Sequence, residues 1–182
     1  MATSEEILEQ TIKSTIRDII DFPQPGIIFK DITPLLKNPQ LCKAIVQSIA
    51  DQLRPLNIDA LACLDSRGFW FGLSIAMELG IPMIPIRKKG KLPYETVHEE
   101  YALEYGTNTI EMHTDAVQPG WRVAIHDDIL ATGGTAEATS KLIKKSNGEI
   151  VAYSFLIELD FLQGRNKLLP YCDTIQSIIN YW

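Results

Sequence analysis

Apolar residues recur along this chain in two alternating modes, a helical spacing and short unbroken runs, and the alternation sets the expected fold. Leu8, Ile12, Ile16, Ile19 and Ile20 fall at helical spacing behind Thr3-Ser4-Glu5-Glu6, which fits a capping box, so residues 4–20 read as an amphipathic helix. Phe22-Pro23-Gln24-Pro25-Gly26 ends it, and residues 27–32 form a short extended segment before Thr33-Pro34. Asn38 and Pro39 mark a second helix start, cap then first-turn proline, with Leu41, Ile45, Ile49 and Leu53 as its stripe.

From there buried strands and helices take turns, the signature of an α/β domain with a mostly parallel twisted sheet flanked by helices. The pattern predicts a strand over 59–64, a loop Asp65-Ser66-Arg67-Gly68, a helix over 69–79 closed by Gly80, and a strand over 81–86. It resumes with a strand from Val123, a helix after Gly134 closed by Gly148, and a strand over 150–157. Between Arg87 and about Asp115 the chain is charged and lacks regular apolar spacing, which predicts a long functional or mobile loop. The last dozen residues, ending Tyr181-Trp182, carry no motif.

Composition narrows the class without choosing it. At 182 residues the chain reads as a single domain over 1–182. A net charge of −6 argues against general nucleic-acid binding, though not against a locally basic pocket. Three cysteines without metal-type spacing give neither a disulfide framework nor a ligand set, and Cys42 and Cys63 sit in apolar patterns as inert core thiols. No basic leader and no bilayer-length apolar run are present, so no membrane is expected and a cytoplasmic location is the default.

The chemistry concentrates in Val123-Ala124-Ile125-His126-Asp127-Asp128-Ile129-Leu130-Ala131-Thr132-Gly133-Gly134-Thr135. A strand here hands over to a helix N-terminus, where unpartnered N–H groups and the positive dipole end suit a phosphate. Glycines let the amides of Ala131, Thr132, Gly133, Gly134 and Thr135 close around a tetrahedral anion, and the threonines add hydroxyl donors. Asp127 and Asp128, acceptors only when ionised, match a diol. Phosphate and diol side by side describe a ribose phosphate. The bland alternative is a capped strand–turn–helix corner with its aspartates in water, and a bare Thr-Gly-Gly-Thr would favour it.

Two further loops lie at carboxyl ends of strands, where open parallel sheets bind ligands. One places Ser66 and Arg67 beside Gly68 at a helix start. The other opens with Arg87-Lys88-Lys89-Gly90-Lys91, four cations in five residues. Arg67 reads evenly as an anion contact or as a surface guanidinium paired with Glu78 or Asp65. The cationic run, in an acidic chain and directly after a buried strand, reads as a pyrophosphate clamp rather than a solvated face.

The strand, Asp-Asp, Ala-Thr-Gly-Gly-Thr and helix combination resembles the phosphoribosyl pyrophosphate (PRPP) motif of the type I phosphoribosyltransferase family. The resemblance runs in order along nearly the whole chain, through Phe22–Pro34, Ser66-Arg67-Gly68-Phe69, Arg87–Pro93, Leu103-Glu104-Tyr105-Gly106, Phe155–Leu159 and Gly164-Arg165, and it points to the adenine-using branch. It implies a small N-terminal hood over about residues 1–34, a mobile catalytic loop over about 87–115, and a homodimer. The implied reaction is transfer of phosphoribosyl from PRPP to N9 of adenine, giving AMP and pyrophosphate, with Mg²⁺ held by the ligand and by no protein side chain directly.

Site roles follow by position from that resemblance. Ala131–Thr135 take the 5′-phosphate and Asp127 and Asp128 the ribose hydroxyls. Ser66, Arg67, Arg87, Lys88, Lys91 and Tyr105 take pyrophosphate. Ile28, Phe29, Lys30, Ile129 and Leu159 surround adenine, and Glu104 and Arg67 are catalytic. A cis peptide between Asp65 and Ser66 is also implied. His126, where the family is usually apolar, reads as a satisfied strand residue. A phosphoribosyltransferase for another base is one rival reading, and a PRPP-sensing regulator without catalysis is a second. A kinase-type phosphate loop, G-x-x-x-x-G-K-[ST], is missing.

Overall fold

The computed structural model describes residues 3–102 and 107–182. The chain divides into two compact units, Met1–Ser48 and Ile49–Trp182, and the hood expected over 1–34 belongs to the first.

In the first unit, α1 (Ser4–Thr15) starts at the expected capping box: the Glu6 amide donates to Thr3 Oγ1 at 3.2 Å and the Thr3 amide to Glu6 Oε2 at 2.7 Å. The helix stops five residues short of the expectation. Ile16 is already extended, and Arg17–Ile20 forms β1, antiparallel to β2 (Ile28–Asp31). A run rich in β-branched residues, Thr15-Ile16 and Ile19-Ile20, loses less side-chain freedom in a strand, and β2 supplies the partner. The apolar spacing suited both structures, and pairing decided between them. The connecting turn carries Asp21 at φ 57° and a cis Phe22–Pro23 bond. The helix α2 (Pro39–Leu53) begins as expected, with Asn38 Oδ1 accepting from the Leu41 amide at 3.1 Å.

The second unit is built on a seven-stranded sheet: β3 (Ala60–Leu64), β4 (Met83–Lys88), β5 (Thr96–Ala102), β6 (Thr107–His113), β7 (Arg122–Leu130), β8 (Glu149–Leu159) and β9 (Ile175–Tyr181). Their order is β5-β6-β4-β3-β7-β8-β9. The five strands from β4 to β9 run parallel, and β5 and β6 are antiparallel additions at one edge. Helix α3 (Gly68–Leu79) follows β3, α4 (Gly134–Lys145) follows β7, and the single-turn α5 (Arg165–Leu168) follows β8. Side chains of β3 alternate between the two layers. Ala60, Ala62 and Leu64 join α4 residues Leu142 and Ile143 in one core cluster. Cys63 faces α3, where a Cβ on Gly72 would sit 3.1 Å from its Cβ.

Two expectations are corrected here, and one stretch without a motif gains a structure. The stretch read as an irregular loop from Arg87 contains two paired strands. Its charges alternate with Val97, Ile110 and Met112, so one face packs on the core while the other is solvated. The last residues, which carried no motif, form β9, a parallel edge strand. Helix α4 ends through Ser146 and a left-handed Asn147 (φ 59°), so the turn falls one residue before the glycine. Gly148 is needed instead for proximity, since a Cβ there would lie 2.8 Å from Ile143 Cγ2 and 2.9 Å from Val117 Cγ1.

Candidate active site

Because β4, β3 and β7 are parallel neighbours, their carboxyl ends deliver three loops to one edge of the sheet. Side chains tie the loops together. Arg67, after β3, sets Nε 3.0 Å from Asp128 Oδ2 of β7. Asp65, one residue past β3, accepts from Arg87 Nε of β4 at 3.0 Å. The Asp65–Ser66 peptide is cis, as the resemblance implied. Gly68 opens α3 so close to β7 that a Cβ would lie 2.9 Å from Asp127 Oδ1 and 3.1 Å from the His126 carbonyl oxygen. Only glycine admits the helix N-terminus here.

Past β7 the chain curls around a cavity of about 160 Å³ lined by Asp127, Ile129, Leu130, Ala131, Thr132, Gly133, Gly134, Thr135, Ala136 and Phe155. Gly133, at φ 75°, is the N-cap of α4, and no side chain caps that helix. A non-glycine residue is disfavoured in that conformation, and an uncapped start leaves backbone amides available to a ligand. The five residues assigned to the phosphate, together with Asp127 and Ile129, thus meet in one place.

Strand geometry separates the two aspartates. Consecutive residues face opposite ways, so Asp127 lines the cavity while Asp128, 3% exposed, turns to Arg67. Asp127 Oδ1 accepts from the Asp128 amide at 2.9 Å. Burial pushes the Asp127 carboxyl well above the usual carboxylate range, and the neighbouring Asp128 charge pushes the same way. Burial also raises Asp128, against the opposing pull of Arg67. A ligand that donates hydroxyls to this pair would favour the ionised form.

The other predicted residues are placed as follows. Ser66 is exposed beside Arg67, and Lys88 and Lys91 are exposed around the turn after β4. Arg87 is spoken for, since its guanidinium also donates to the Lys91 carbonyl at 3.1 Å. Leu159 closes β8 beside Tyr181. Ile28, Phe29 and Lys30 lie on β2 in the first unit. There Ile28 is exposed, Phe29 packs edge-on against Phe22 at 5.2 Å, and Lys30 Nζ pairs with Asp18 at 2.7 Å. Glu104 and Tyr105 fall outside the described residues.

Residues not anticipated also shape the site. Buried Glu111 of β6 holds the cationic turn: its Oε1 accepts from the amides of Lys91 and Leu92, both at 2.9 Å. Burial works to raise its pKa, but those backbone bonds prevail and keep it below the usual range. Tyr101 of β5 reaches over α4, and its hydroxyl accepts from Thr135 Oγ1 at 3.1 Å. Period-two alternation through Val97, Glu99 and Tyr101 is the signal that could have placed it. His126 is fully buried, with Nδ1 3.4 Å from Ser154 Oγ and Nε2 without a hydrogen-bond partner among the described residues. It is therefore only half satisfied, and burial lowers its pKa to about 4, which keeps it neutral. Among the described residues no group of three or more His, Cys, Asp or Glu side chains is disposed to hold a metal ion, and no helix is long and apolar enough to cross a membrane.

An acidic pair and a glycine-turned, uncapped helix start stand at the carboxyl edge of a parallel sheet, and the family described as "Phosphoribosyl transferase domain" matches residues 31–182, which makes the chain a phosphoribosyltransferase. The chain is 91% identical over 181 residues to the curated adenine phosphoribosyltransferase of Cytophaga hutchinsonii, covering 100% of both. Among solved structures it is similar to the adenine phosphoribosyltransferase of Rhodothermus marinus, at 47% identity and a TM-score of 0.90 over 96% of this chain and 99% of that one. The Saccharomyces cerevisiae enzyme, solved with adenine and an imino-altritol bisphosphate, matches at 36% identity and a TM-score of 0.90 over 95% and 99%. The chain belongs to the adenine phosphoribosyltransferase family.

Proposed function

We infer that the chain moves phosphoribosyl from PRPP to N9 of adenine, producing AMP and pyrophosphate in purine salvage. The cavity that brings Asp127 against the backbone of Ala131–Thr135 carries this reading, in a chain 91% identical to a curated adenine phosphoribosyltransferase. The 5′-phosphate sits on the start of α4, and the ribose hydroxyls donate to Asp127 and, across the strand, Asp128. Displacement at the anomeric carbon builds positive charge on the sugar ring, which the adjacent carboxylates stabilise. Charge grows on the departing diphosphate at the same time. Ser66, Arg67, Lys88 and Lys91 receive it, while Arg87 braces their loop through Asp65. Mg²⁺ would be carried in on the diphosphate, the Asp128 carboxylate being already paired with Arg67. Such an ion neutralises phosphate charge.

The resemblance assigns adenine to the main chain of Ile28, Phe29 and Lys30 and to the apolar side chains of Ile129 and Leu159. In its two-stranded sheet β2 is paired along one edge, so alternate residues point N–H and C=O outward, which suits an amino group beside a ring nitrogen. A 6-oxo purine reverses that pattern and leaves polar groups unpaired. Glu104 handles the purine proton, and Tyr105 joins the diphosphate. Trp70, Leu73 and Met77, exposed along α3, support a homodimer. The three free thiols fit a reducing cytoplasm.

Pyrophosphate release should require adenine, PRPP and Mg²⁺ together, and hypoxanthine, guanine, xanthine and orotate should not replace adenine. Preference for another base would move the chain to a sister activity, and PRPP binding without turnover would make it a sensor. Glu104→Ala should cut kcat by about 10²–10⁴ with PRPP affinity nearly unchanged. Equal loss of both would make Glu104 a binding group.

A further inference from the structure

We propose that Gly164, which lines neither the cavity nor any candidate subsite, is a positioning residue that sets the direction of the phosphate-binding amides; this rests on the reading that Ala131–Thr135 hold the 5′-phosphate. Gly164 is buried at the start of α5. A Cβ on it would run into the carbonyl oxygen of Ala131, 3.0 Å from Leu130 Cδ1 and 3.1 Å from the Gly133 nitrogen. Reciprocally, a Cβ on Gly133 would sit 2.6 Å from the Gly164 carbonyl oxygen. Two backbones therefore touch on both sides of Thr132, with no room for a side chain between them.

Gly164 cannot drift from that contact, because the next residue is anchored. Arg165 forks onto Glu158, with Nε to Oε1 at 2.7 Å and Nη2 to Oε2 at 2.8 Å, and its Nη1 donates to the Ile175 carbonyl at 3.0 Å. Ser177 Oγ donates to the same carboxylate at 2.9 Å. Glu158 stands opposite Leu130 in the β7–β8 register, so the brace grows from the strand beside the loop it supports. Arg and carboxylate matched as two forks resist rotation better than a single bond does.

The consequence is directional. The cis bonds among the described residues are Phe22–Pro23 and Asp65–Ser66, so the Ala131–Thr132 peptide is trans. In a trans peptide C=O and N–H point opposite ways. With the Ala131 oxygen pressed on Gly164, the Thr132 N–H is aimed away from Gly164, the side on which the proposal places the phosphate. Without the brace that peptide can rotate and offer a carbonyl to the phosphate, which is repulsive.

The test compares ligands with and without the phosphate. In Gly164→Ala, AMP and ribose 5-phosphate should bind at least about tenfold more weakly and the PRPP KM should rise alike, while adenosine affinity and adenine KM change less than about twofold. Arg165→Lys keeps the charge but loses the fork, and should show the same selective pattern at about threefold. If Gly164→Ala does not fold, the AMP-to-adenosine ratio in Arg165→Lys decides. Unchanged AMP affinity, or equal loss of AMP and adenosine, overturns the proposal. Thr132→Asp, at an exposed position, separates the two levels by placing a carboxylate in the cradle. If it leaves AMP affinity intact, the phosphate assignment itself has failed; if it weakens AMP while Gly164→Ala does not, the brace alone has failed.

Discussion

Asp127→Asn combined with Asp128→Asn should lower transfer by at least about 10³-fold and yet leave the empty protein more resistant to unfolding at neutral pH. The activity half follows from chemistry: an amide keeps the shape but removes the charge facing the developing sugar cation, and it presents N–H donors to hydroxyls that need acceptors. The stability half follows from the raised carboxyls. A carboxyl whose folded pKa lies above its unfolded value contributes its full stability below about 3.9, and that stability is lost as pH rises through the folded value. At neutral pH the wild-type pair is therefore a cost, offset in part by Arg67, whose side chain is 24% exposed and can be solvated when Asp128 becomes an amide, unlike the buried carboxylate. Melting temperatures measured from pH 4 to 8 should fall with rising pH more steeply in wild type than in the double variant. Asp127→Asn alone leaves the Arg67–Asp128 pair in place, so it should lose transfer while sparing the loop geometry. Full activity in the double variant would remove the diol assignment, and a variant less stable at pH 8 than wild type would remove the electrostatic one.

This trade of stability for function was half visible in the chain. Adjacent aspartates between an apolar strand and a glycine turn announced a site, because no core needs that combination. The sheet face each one takes was equally implicit, since neighbours in a strand diverge, but their destinations depend on Arg67, sixty positions away in the chain. Long-range pairing also hid β1, β5, β6 and β9. Each is short, half-exposed or heavily charged, and becomes a strand only because a partner stands beside it. By contrast β3, β7, α3 and α4 are buried enough for local apolar spacing to suffice. Gly164 and Gly148 show the same limit for glycine. Gly148 reads as a helix stop and Gly164 as part of a family motif, whereas their use is to admit a branched side chain or a backbone that approaches from elsewhere.

Arg67→Met should damage both transfer and stability, and its two effects can be separated. Removing the guanidinium takes away a cation proposed to grip the diphosphate and leaves the Asp128 carboxylate, 3% exposed, without the neighbouring charge that favours its ionised form. Breaking a buried pair from one side costs about 3–5 kcal/mol when the orphan stays charged. Protonation is the cheaper escape: without Arg67 the Asp128 pKa climbs further. The variant should then unfold more readily as pH rises through that new value, and recover at acid pH. Adding Asp128→Asn removes the orphan charge and should restore the melting temperature across pH, while transfer stays at least about 10²-fold down because the cation is still missing and a carboxylate facing the sugar is lost with it. Arg67→Lys distinguishes charge from geometry, since an ammonium can reach either Asp128 or the diphosphate but has no planar fork to address both. If Arg67→Met with Asp128→Asn regains wild-type kcat/KM for PRPP, Arg67 serves only to neutralise its neighbour, and the grip on the leaving group must come from the lysines of the β4 turn.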